Sequence, residues 1–363
     1  MRRYKKKSET DKSKPDMSFV KSLGKGTHGS VDLFSYTKDD GTTFYNAVKI
    51  SDYDSVDSID REFRILSELR GCLGIVQSFG DSLLQGTDCN DTEVFMMPME
   101  YAAGGTLTNF IQRNRKMSDC HIKDFTRMIL QGLVSVHSHG YVHCDLKPDN
   151  LLLFPRYDQE TWNCSNELKI SDFGLSTKAG EKSDCWNTDS PFVGTPVYMP
   201  PESIRDGGSV EQTLDLWSLG CIVLEMYTGK HPWTGVGLDN VKPLLLDGKA
   251  PEIPKSVPCD ARQFIEKCFA RKPEERGSAS ELLLHPFLIV DDKVASVAAG
   301  GERHRMVLRI RKPPPSLEDV TEKPSRLKII SSKSSQFKRV LKKPLKVKIL
   351  PPRSPRSNFV PVQ

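Results

Sequence analysis

The stretch His143-Cys144-Asp145-Leu146-Lys147-Pro148-Asp149-Asn150 runs directly into the apolar triplet Leu151-Leu152-Leu153. Within it, Asp145 supplies a carboxylate, Lys147 an ammonium group and Asn150 an amide oxygen. One loop therefore offers a base for a hydroxyl proton, a cation for a γ-phosphate and an oxygen ligand for Mg²⁺, which indicates phosphoryl transfer to a hydroxyl. Eight-residue patterns also occur by chance, so the weight of this one depends on the rest of the chain.

A glycine-rich segment, Gly24 to Val31, lies between two short strand patterns, Phe19 to Leu23 and Val31 to Tyr36. Glycine lets backbone N–H groups approach a triphosphate where a side chain would collide. A G-x-G-x-x-G pattern alone can also open a dinucleotide-binding βαβ unit. Here a strand rather than a helix follows, and Val31 extends the pattern to G-x-G-x-x-G-x-V, which favours a loop covering ATP.

Lys49 lies in the strand pattern Tyr45 to Ile50, where an unpaired ammonium group would be costly to bury. The following helix, Asp57 to Leu69, offers Glu62 as the anionic partner, with Glu68 as a competitor. The apolar face of this helix consists of Ile59, Phe63, Leu66 and Leu69. Glu62 lies at the edge of that face and is favoured, although a solvated Glu62 is the alternative reading.

The next elements follow from local patterns. Paired strands are expected at Ile75 to Leu84 and Glu93 to Met97, a strand with a connector at Met99 to Gly105, and helices at Thr106 to Arg113 and Ile122 to His139. Phe154 to Glu167 is a polar insert longer than a tight hairpin, and the sequence assigns it no function.

Asp172-Phe173-Gly174 follows the strand pattern Leu168 to Ser171 and lies 22 residues after Asn150. A carboxylate in this context would bind the Mg²⁺ that bridges ATP phosphates. The Ser/Thr/Gly-rich segment Leu175 to Met199 then leads into Pro200-Pro201-Glu202.

Composition restricts the classes of protein that fit. The chain has 363 residues, 37% hydrophobic and 27% charged, with a net charge of +5. Residues 1–16 carry +4 and residues 301–363 carry +13, so residues 17–300 carry −12. An acidic body with basic ends argues against a nucleic-acid-binding domain. No apolar run is long enough for a membrane span, and the N-terminus lacks the pattern of a signal peptide. Nine cysteines without C-x-x-C spacing predict reduced thiols, in the cytoplasm or nucleus.

Residues from about Met17 to Leu288 resemble eukaryotic protein kinases in the order and spacing of their motifs. The matching positions are Gly24, Gly26, Gly29, Lys49, Glu62, Asp145, Lys147, Asn150, Asp172, Glu202, Asp215 and Arg276. Lys147 and the pair Gly194-Thr195 resemble serine/threonine rather than tyrosine kinases. The segments H-C-D-L-K-P-D-N, G-T-P-V-Y-M-P-P-E and S-A-S-E-L-L-L-H-P-F resemble the short plant MAP kinase kinase kinases of the MEKK-like branch.

The resemblance implies an α+β, two-lobed fold, with a small β-rich and a large α-rich lobe. It implies a kinase that uses ATP and Mg²⁺ to phosphorylate MAP kinase kinases, in stress or hormone signalling. The implied catalytic residues are Asp145, Lys147, Asn150, Asp172, Lys49 and Glu62, with Asn150 and Asp172 as metal ligands. The implied ATP-binding residues are Leu23, Gly24, Lys25, Gly26, Thr27, His28, Gly29, Ser30, Val31, Ala47, Lys49, Met99, Glu100, Ala102 and Leu152. Asp215 would hold the catalytic-loop backbone, and Arg276 would pair with Glu202.

Cys144 departs from the family pattern, which usually has Arg before the catalytic Asp. That Arg normally binds an activation-segment phosphate through charge-assisted hydrogen bonds of about 1.5–3 kcal/mol each, which a thiol cannot form. We therefore expect activity to depend little on phosphorylation of the candidate sites Ser176, Thr177, Ser183, Thr188 and Ser190.

The predicted organisation is a disordered basic N-terminus (1–16), a protein kinase domain (17–289) and a Pro/Lys/Arg-rich, disordered tail (290–363). Three copies of a basic stretch followed by apolar-x-apolar recur in the tail, at Leu308, Leu327 and Leu345. They resemble the docking motifs by which MAP kinase pathway members bind one another. A solvated tail or a nuclear localisation signal is the alternative, and a peptide of residues 336–352 that binds no MAP kinase would exclude docking.

Two other functional classes fit parts of the pattern. A pseudokinase scaffold would recruit pathway members through the tail, but Lys49, Asp145, Asn150 and Asp172 are all intact. A small-molecule phosphotransferase would share the fold, but the segment Gly194 to Glu202, with which kinases hold peptides, is complete.

Overall fold

The computed structural model describes residues 17–26, 29–38, 41–52, 56–87, 92–157, 164–181, 194–204 and 210–289. The predicted disordered ends, the tail motifs, Thr27 and His28, and the sites Ser183, Thr188 and Ser190 lie outside these residues.

The N-terminal part of the fold is a five-stranded antiparallel sheet in the order β1-β2-β3-β5-β4. Its strands are β1 (Met17–Gly26), β2 (Gly29–Thr37), β3 (Thr43–Asp52), β4 (Leu84–Thr87) and β5 (Glu93–Glu100). Helix α1 (Val56–Glu68) contacts β3 and β5. It buries Ile59, Phe63 and Leu66 along one face, as the amphipathic pattern predicts.

The predicted strand Ile75 to Leu84 is wrong. The partner of β5 is β4, and residues 75–78 contribute only two isolated bridges, Ile75 with Ile170 and Ser78 with Met99. Ile75 and Val76 are both 1% exposed. Two consecutive core residues do not alternate as a strand on one sheet face requires. Gly74 and Gly80, both with positive φ, bracket this segment and turn the chain.

The larger part of the fold is helical, with two small sheets ordered β6-β8-β9 and β10-β7. Its helices are α2 (Leu107–Arg113), α3 (Asp119–Ser138), α4 (Thr213–Thr228), α5 (Leu238–Leu246), α6 (Cys259–Cys268) and α7 (Ala279–Leu282). Its strands are β6 (Gly105–Thr106), β7 (Tyr141–Val142), β8 (Leu151–Tyr157), β9 (Cys164–Ile170) and β10 (Thr177–Lys178). Every residue from Leu214 to Met226 is buried, so α4 is the central helix, buried on all sides. The α+β, two-lobed fold class is confirmed.

The insert at Phe154 to Glu167 is largely a hairpin. Strands β8 and β9 pair from Leu151 with Ile170 out to Tyr157 with Cys164. The polar composition of the insert hid this pairing, because both faces of the outer strands are exposed. Only residues 158–163 of the insert lie outside the description.

Among the residues that the structure describes, no helix combines the length and apolar character that a membrane crossing requires.

Candidate active site

Strand β3 and helix α1 bring Lys49 and Glu62 together. The Lys49 Nζ donates to Glu62 Oε2 at 2.5 Å and to Asp172 Oδ1 at 2.8 Å. Glu62 is 1% exposed, and its Oε1 accepts from the Phe173 N–H at 3.3 Å. The competitor Glu68 instead accepts from the Tyr141 hydroxyl at 2.9 Å. The structure therefore selects Glu62 as the partner of Lys49, as predicted from the apolar face of α1.

The electrostatics of this triad favour the charged forms of Lys49 and Asp172. Burial lowers the pKa of Lys49, but the carboxylates of Glu62 and Asp172 outweigh it, and the pKa lies above its ordinary value. Burial opposes the ionisation of Asp172 as well, yet the Lys49 ammonium holds the pKa of that carboxyl below its usual value. A cation and an anion thus stand 2.8 Å apart near neutral pH.

Asp145 lies at the centre of a second network. Its Oδ2 accepts from Lys147 Nζ at 2.6 Å, and its Oδ1 accepts from the Thr195 N–H and hydroxyl, both at 3.0 Å. The Asn150 Nδ2 donates to the Asp145 carbonyl oxygen at 2.9 Å. The carboxylate is consequently fixed in direction by groups from two separate segments.

Thr195 also belongs to the site. In the sequence it served only to distinguish serine/threonine kinases from tyrosine kinases. Besides Asp145, its hydroxyl accepts from Lys147 Nζ at 2.8 Å. It lies 50 residues from Asp145 in sequence, so no local spacing could place the two together. The available signal was Gly194, whose φ of 106° brings this segment against Cys144 and Asp145.

The backbone of the catalytic loop is held from below by helix α4. Asp215 accepts from the N–H groups of His143 at 2.9 Å and Cys144 at 3.1 Å, and from His137 Nε2 at 2.9 Å. Asp215 is 1% exposed, so an unpaired carboxylate there would be costly. This contact was predicted from the resemblance, and the structure contains it.

Backbone strain concentrates in the two loops of the site. Cys144 (φ 67°) and Asp172 (φ 65°) are the non-glycine residues with positive φ in the described part of the chain. Such conformations cost about 1–3 kcal/mol and persist where the surroundings over-determine them. Here the bonds to Asp215 hold Cys144 and the bond from Lys49 holds Asp172.

The donors suit Mg²⁺ when they are combined with phosphate oxygens. Asp172 offers a half-exposed carboxylate, and Asn150, whose Nδ2 donates to Asp145, offers its Oδ1. Within the described ranges no cluster of three His, Cys, Asp or Glu side chains could hold a metal alone. One carboxylate and one amide oxygen, completed by phosphate oxygens, fit the way Mg²⁺ is held together with nucleotides.

The predicted nucleotide loop is the β1–β2 hairpin. A Cβ on Gly29 would lie 2.0 Å from the Ile50 carbonyl oxygen, so the protein itself requires glycine there. A Cβ on Gly24 or Gly26 would meet nothing within 4 Å. For these two glycines none of the described residues sets a steric requirement, so their backbone is open to the close approach that glycine permits.

The remaining predicted nucleotide residues lie on strands or, for Ala102, directly after one. Ala47 and Met99 are paired across β3 and β5 and are 5% and 7% exposed. Leu23 and Lys25 are in β1, Ser30 and Val31 in β2, and Leu152 in β8. Glu100 ends β5, with Ala102 following it. The structure tests the placement of these residues and leaves their roles as predictions.

Comparison with known proteins agrees with this arrangement. The family model described as "Protein kinase domain" matches residues 17–288. The serine/threonine-protein kinase BCK1/SLK1/SSP31 of Saccharomyces cerevisiae is 34% identical over 74% of this chain but only 18% of its own length. Mitogen-activated protein kinase kinase kinase 18 of Arabidopsis thaliana is 32% identical over 74% of this chain and 76% of its own. Mitogen-activated protein kinase kinase 2 of the same plant is 31% identical over 78% of this chain and 75% of its own length.

Proposed function

This chain belongs to the protein kinase family and resembles MAP kinase kinase kinases of the serine/threonine class, and from that premise we propose that it transfers the γ-phosphate of ATP to serine or threonine hydroxyls of proteins. The single observation that carries the proposal is the Asp145 network. Its carboxylate is oriented by Lys147 and by both donors of Thr195. The same chain also holds Lys49 between the carboxylates of Glu62 and Asp172.

Asp145 orients the acceptor hydroxyl and takes its proton as the hydroxyl oxygen attacks the phosphorus. Lys147, which contacts both Asp145 and Thr195, can steady the transferred phosphoryl group without leaving its present position. Proton transfer to a positioned base contributes about 10²- to 10⁴-fold to such reactions.

Lys49 holds the α- and β-phosphates, and Glu62 keeps its ammonium group directed into the cleft. Asn150 Oδ1 and the Asp172 carboxylate would hold Mg²⁺, which when bound neutralises charge on the phosphate oxygens. The glycines of the β1–β2 hairpin leave room for its backbone to cover the nucleotide.

We place the protein at the MAP kinase kinase kinase level, with MAP kinase kinases as substrates, in stress or hormone signalling. The support is the resemblance of its loop segments and the names of its plant relatives. The comparable identity to a MAP kinase kinase makes the level below a second candidate, with MAP kinases as substrates. The basic tail is proposed to recruit pathway members.

Radiolabelled transfer from Mg-ATP by the purified full chain tests the proposal, with catalytically inactive MAP kinase kinases, MAP kinases and a generic substrate as acceptors. We expect transfer to MAP kinase kinases and a loss of about 10²-fold or more in Asp145→Asn, with ATP binding retained. Asp124→Asn, which removes a carboxylate paired with Arg127 on α3, is the control and should keep its rate.

Transfer that survives Asp145→Asn would contradict the proposed mechanism. Bound ATP without transfer to any acceptor would favour the pseudokinase scaffold. Transfer only to MAP kinases would move the protein one level down the cascade.

A further inference from the structure

A partly buried ion pair joins the β8–β9 hairpin to the end of β5. Lys169 of β9 is 9% exposed, and its Nζ donates to both carboxylate oxygens of Glu100, at 2.9 Å each. The resemblance to protein kinases implies a nucleotide contact through the backbone of Glu100 and gives the hairpin no role. The mechanism described above uses neither side chain.

The hairpin itself prepares Lys169 for this contact. Phe154 of β8 lies diagonally across the ladder from Lys169, since Leu152 pairs with Lys169 and Phe154 with Glu167. The Phe154 ring centroid is 4.8 Å from the Lys169 Nζ. A cation over an aromatic face within about 6 Å is attracted to it, so the ring holds the ammonium group on the side of Glu100.

Glu100 is held from its other side by the segment that precedes β4. Its N–H donates to the Gln77 carbonyl oxygen at 3.0 Å, and its Oε2 accepts from the Gln77 N–H at 3.1 Å. The Gln77 side chain in turn accepts from the Gly71 N–H at 2.7 Å. Four residues, Phe154, Lys169, Glu100 and Gln77, therefore form one connected group, here named the hinge clasp.

The clasp stands directly beside the connector whose backbone, by the resemblance to protein kinases, would bind the adenine of ATP at Glu100 and Ala102. Met99, Glu100 and Ala102 span the end of β5 and the connector that leads to β6. If the connector is mobile in the free protein, binding of the flat adenine ring must also order its backbone. That ordering costs conformational entropy and so lowers the affinity for the nucleotide. Fixing Glu100 through both its backbone and its side chain removes that cost before the nucleotide arrives.

We propose that Lys169 is a positioning residue for the nucleotide, which acts by clamping Glu100 and so preorganises the connector Glu100–Ala102 for adenine. This inference rests on the proposed function, since it refines its ATP site. It also gives the inner end of the β8–β9 hairpin a role, because Phe154 and Lys169 both lie in its strands.

The test compares Lys169→Met, which keeps the aliphatic stem and removes the charge, with Lys123→Met. Lys123 of α3 is a matched control whose ion pairs involve neither Glu100 nor the β8–β9 hairpin. It also pairs with two carboxylates, Asp119 at 2.9 Å and Asp260 at 3.0 Å, and lies over the Phe287 ring at 5.3 Å. Both variants lose a clamped lysine over a phenylalanine, but only one contacts the connector.

We expect Lys169→Met to raise KM for ATP about five- to twenty-fold and to change kcat by less than about two-fold. The expected rise in KM is moderate because Glu100 is partly exposed, which weakens its ion pair with Lys169. Lys123→Met should leave KM unchanged, although its thermal midpoint falls. Lys169→Arg should recover most of the wild-type KM. Phe154→Leu should give an intermediate KM, because it keeps the ion pair and removes the ring.

Equal KM values in Lys169→Met and Lys123→Met would overturn the inference, as would a loss confined to kcat. If Lys169→Met does not fold, Phe154→Leu and Lys169→Arg decide by the same criterion. Direct titration with Mg-ATP separates this inference from the proposed function. A higher Kd for Mg-ATP in Lys169→Met but not in Lys123→Met supports the clasp even if no phosphate is transferred. Identical Kd values in the two variants exclude it.

Discussion

At the scale of single residues, Asp172 shows how a side-chain hydrogen bond stabilises a strained backbone conformation. It adopts a φ of 65° with its carboxylate bonded to Lys49 at 2.8 Å, and Lys49 is bonded to the buried Glu62. The chain therefore accepts an unfavourable backbone conformation in exchange for a charge-assisted hydrogen bond.

The pKa of Asp172 sets a pH window for this contribution. Because its folded pKa lies below the ordinary value of 3.8, the stabilisation is present above that value and is lost as the pH falls through the folded pKa. We expect the difference in unfolding free energy between wild type and Asp172→Asn to be constant from about pH 6 to 9 and to shrink below about pH 4. Urea unfolding at a series of pH values measures it. A difference that grows on acidification would contradict the direction of the pKa shift.

At the scale of elements, apolar packing anchors the beginning of the Ser/Thr/Gly-rich segment Leu175 to Met199, which corresponds to the activation segment of protein kinases. Val142, Val210 and Leu214 form a buried cluster, and Cys144 and Ala179 pack against it. Residues 180 and 210 are joined by a backbone hydrogen bond, from the Gly180 N–H to the Val210 carbonyl oxygen at 2.8 Å. Where the family pattern places an Arg for a phosphate, this chain places a thiol against aliphatic side chains.

Phosphatase treatment should therefore change the transfer rate by less than about two-fold, because no arginine–phosphate contact at position 144 is lost. Among the candidate phosphorylation sites, Ser176 is 1% exposed and its hydroxyl donates to the His143 carbonyl oxygen at 3.0 Å. Ser176 is therefore not accessible to a phosphorylating enzyme. Mass spectrometry before and after treatment provides the control for phosphate removal. A loss of about ten-fold or more would show that another group binds the phosphate.

At the scale of the whole molecule, Arg276 joins segments that are far apart in the sequence. It is fully buried and pairs with Glu202 through both terminal nitrogens, with Nη2 to Oε2 at 2.9 Å. It also donates to the carbonyl oxygens of Thr213 and Ala270, both at 3.0 Å, and lies over the Trp217 ring at 5.1 Å. The end of the activation segment and the start of α4 thus depend on a single guanidinium group.

Arg276→Met should lower the free energy of unfolding by about 3 kcal/mol, because it leaves the Glu202 carboxylate and two carbonyl oxygens without their donor. Arg64→Met is the comparison, since Arg64 makes an exposed pair with Asp60 on α1 that is worth about 0.5 kcal/mol or less. Denaturant unfolding of both variants measures the two losses. Similar losses would mean that the buried network carries no special share of the stability.

The sequence by itself determined the features that neighbouring residues encode. The two-lobed α+β class is what the resemblance of the ordered motifs to protein kinases implies, whereas the glycine loop and the choice of Glu62 over Glu68 follow from glycine spacing and from the apolar face of one helix. The candidate residues Asp145, Lys147 and Asn150 were within reach because they lie in one loop. Their catalytic roles remain predictions.

Only the tertiary structure decided the contacts between distant segments. Thr195 reaches Asp145 across 50 residues, and Lys169 reaches Glu100 across 69. The β8–β9 hairpin was hidden by its polar composition, and the predicted strand at Ile75 was an apolar run buried by packing around two turns. The physical reason is that periodicity and backbone preference act over a few residues, whereas the partner of a buried charge is chosen by how sheets and helices pack.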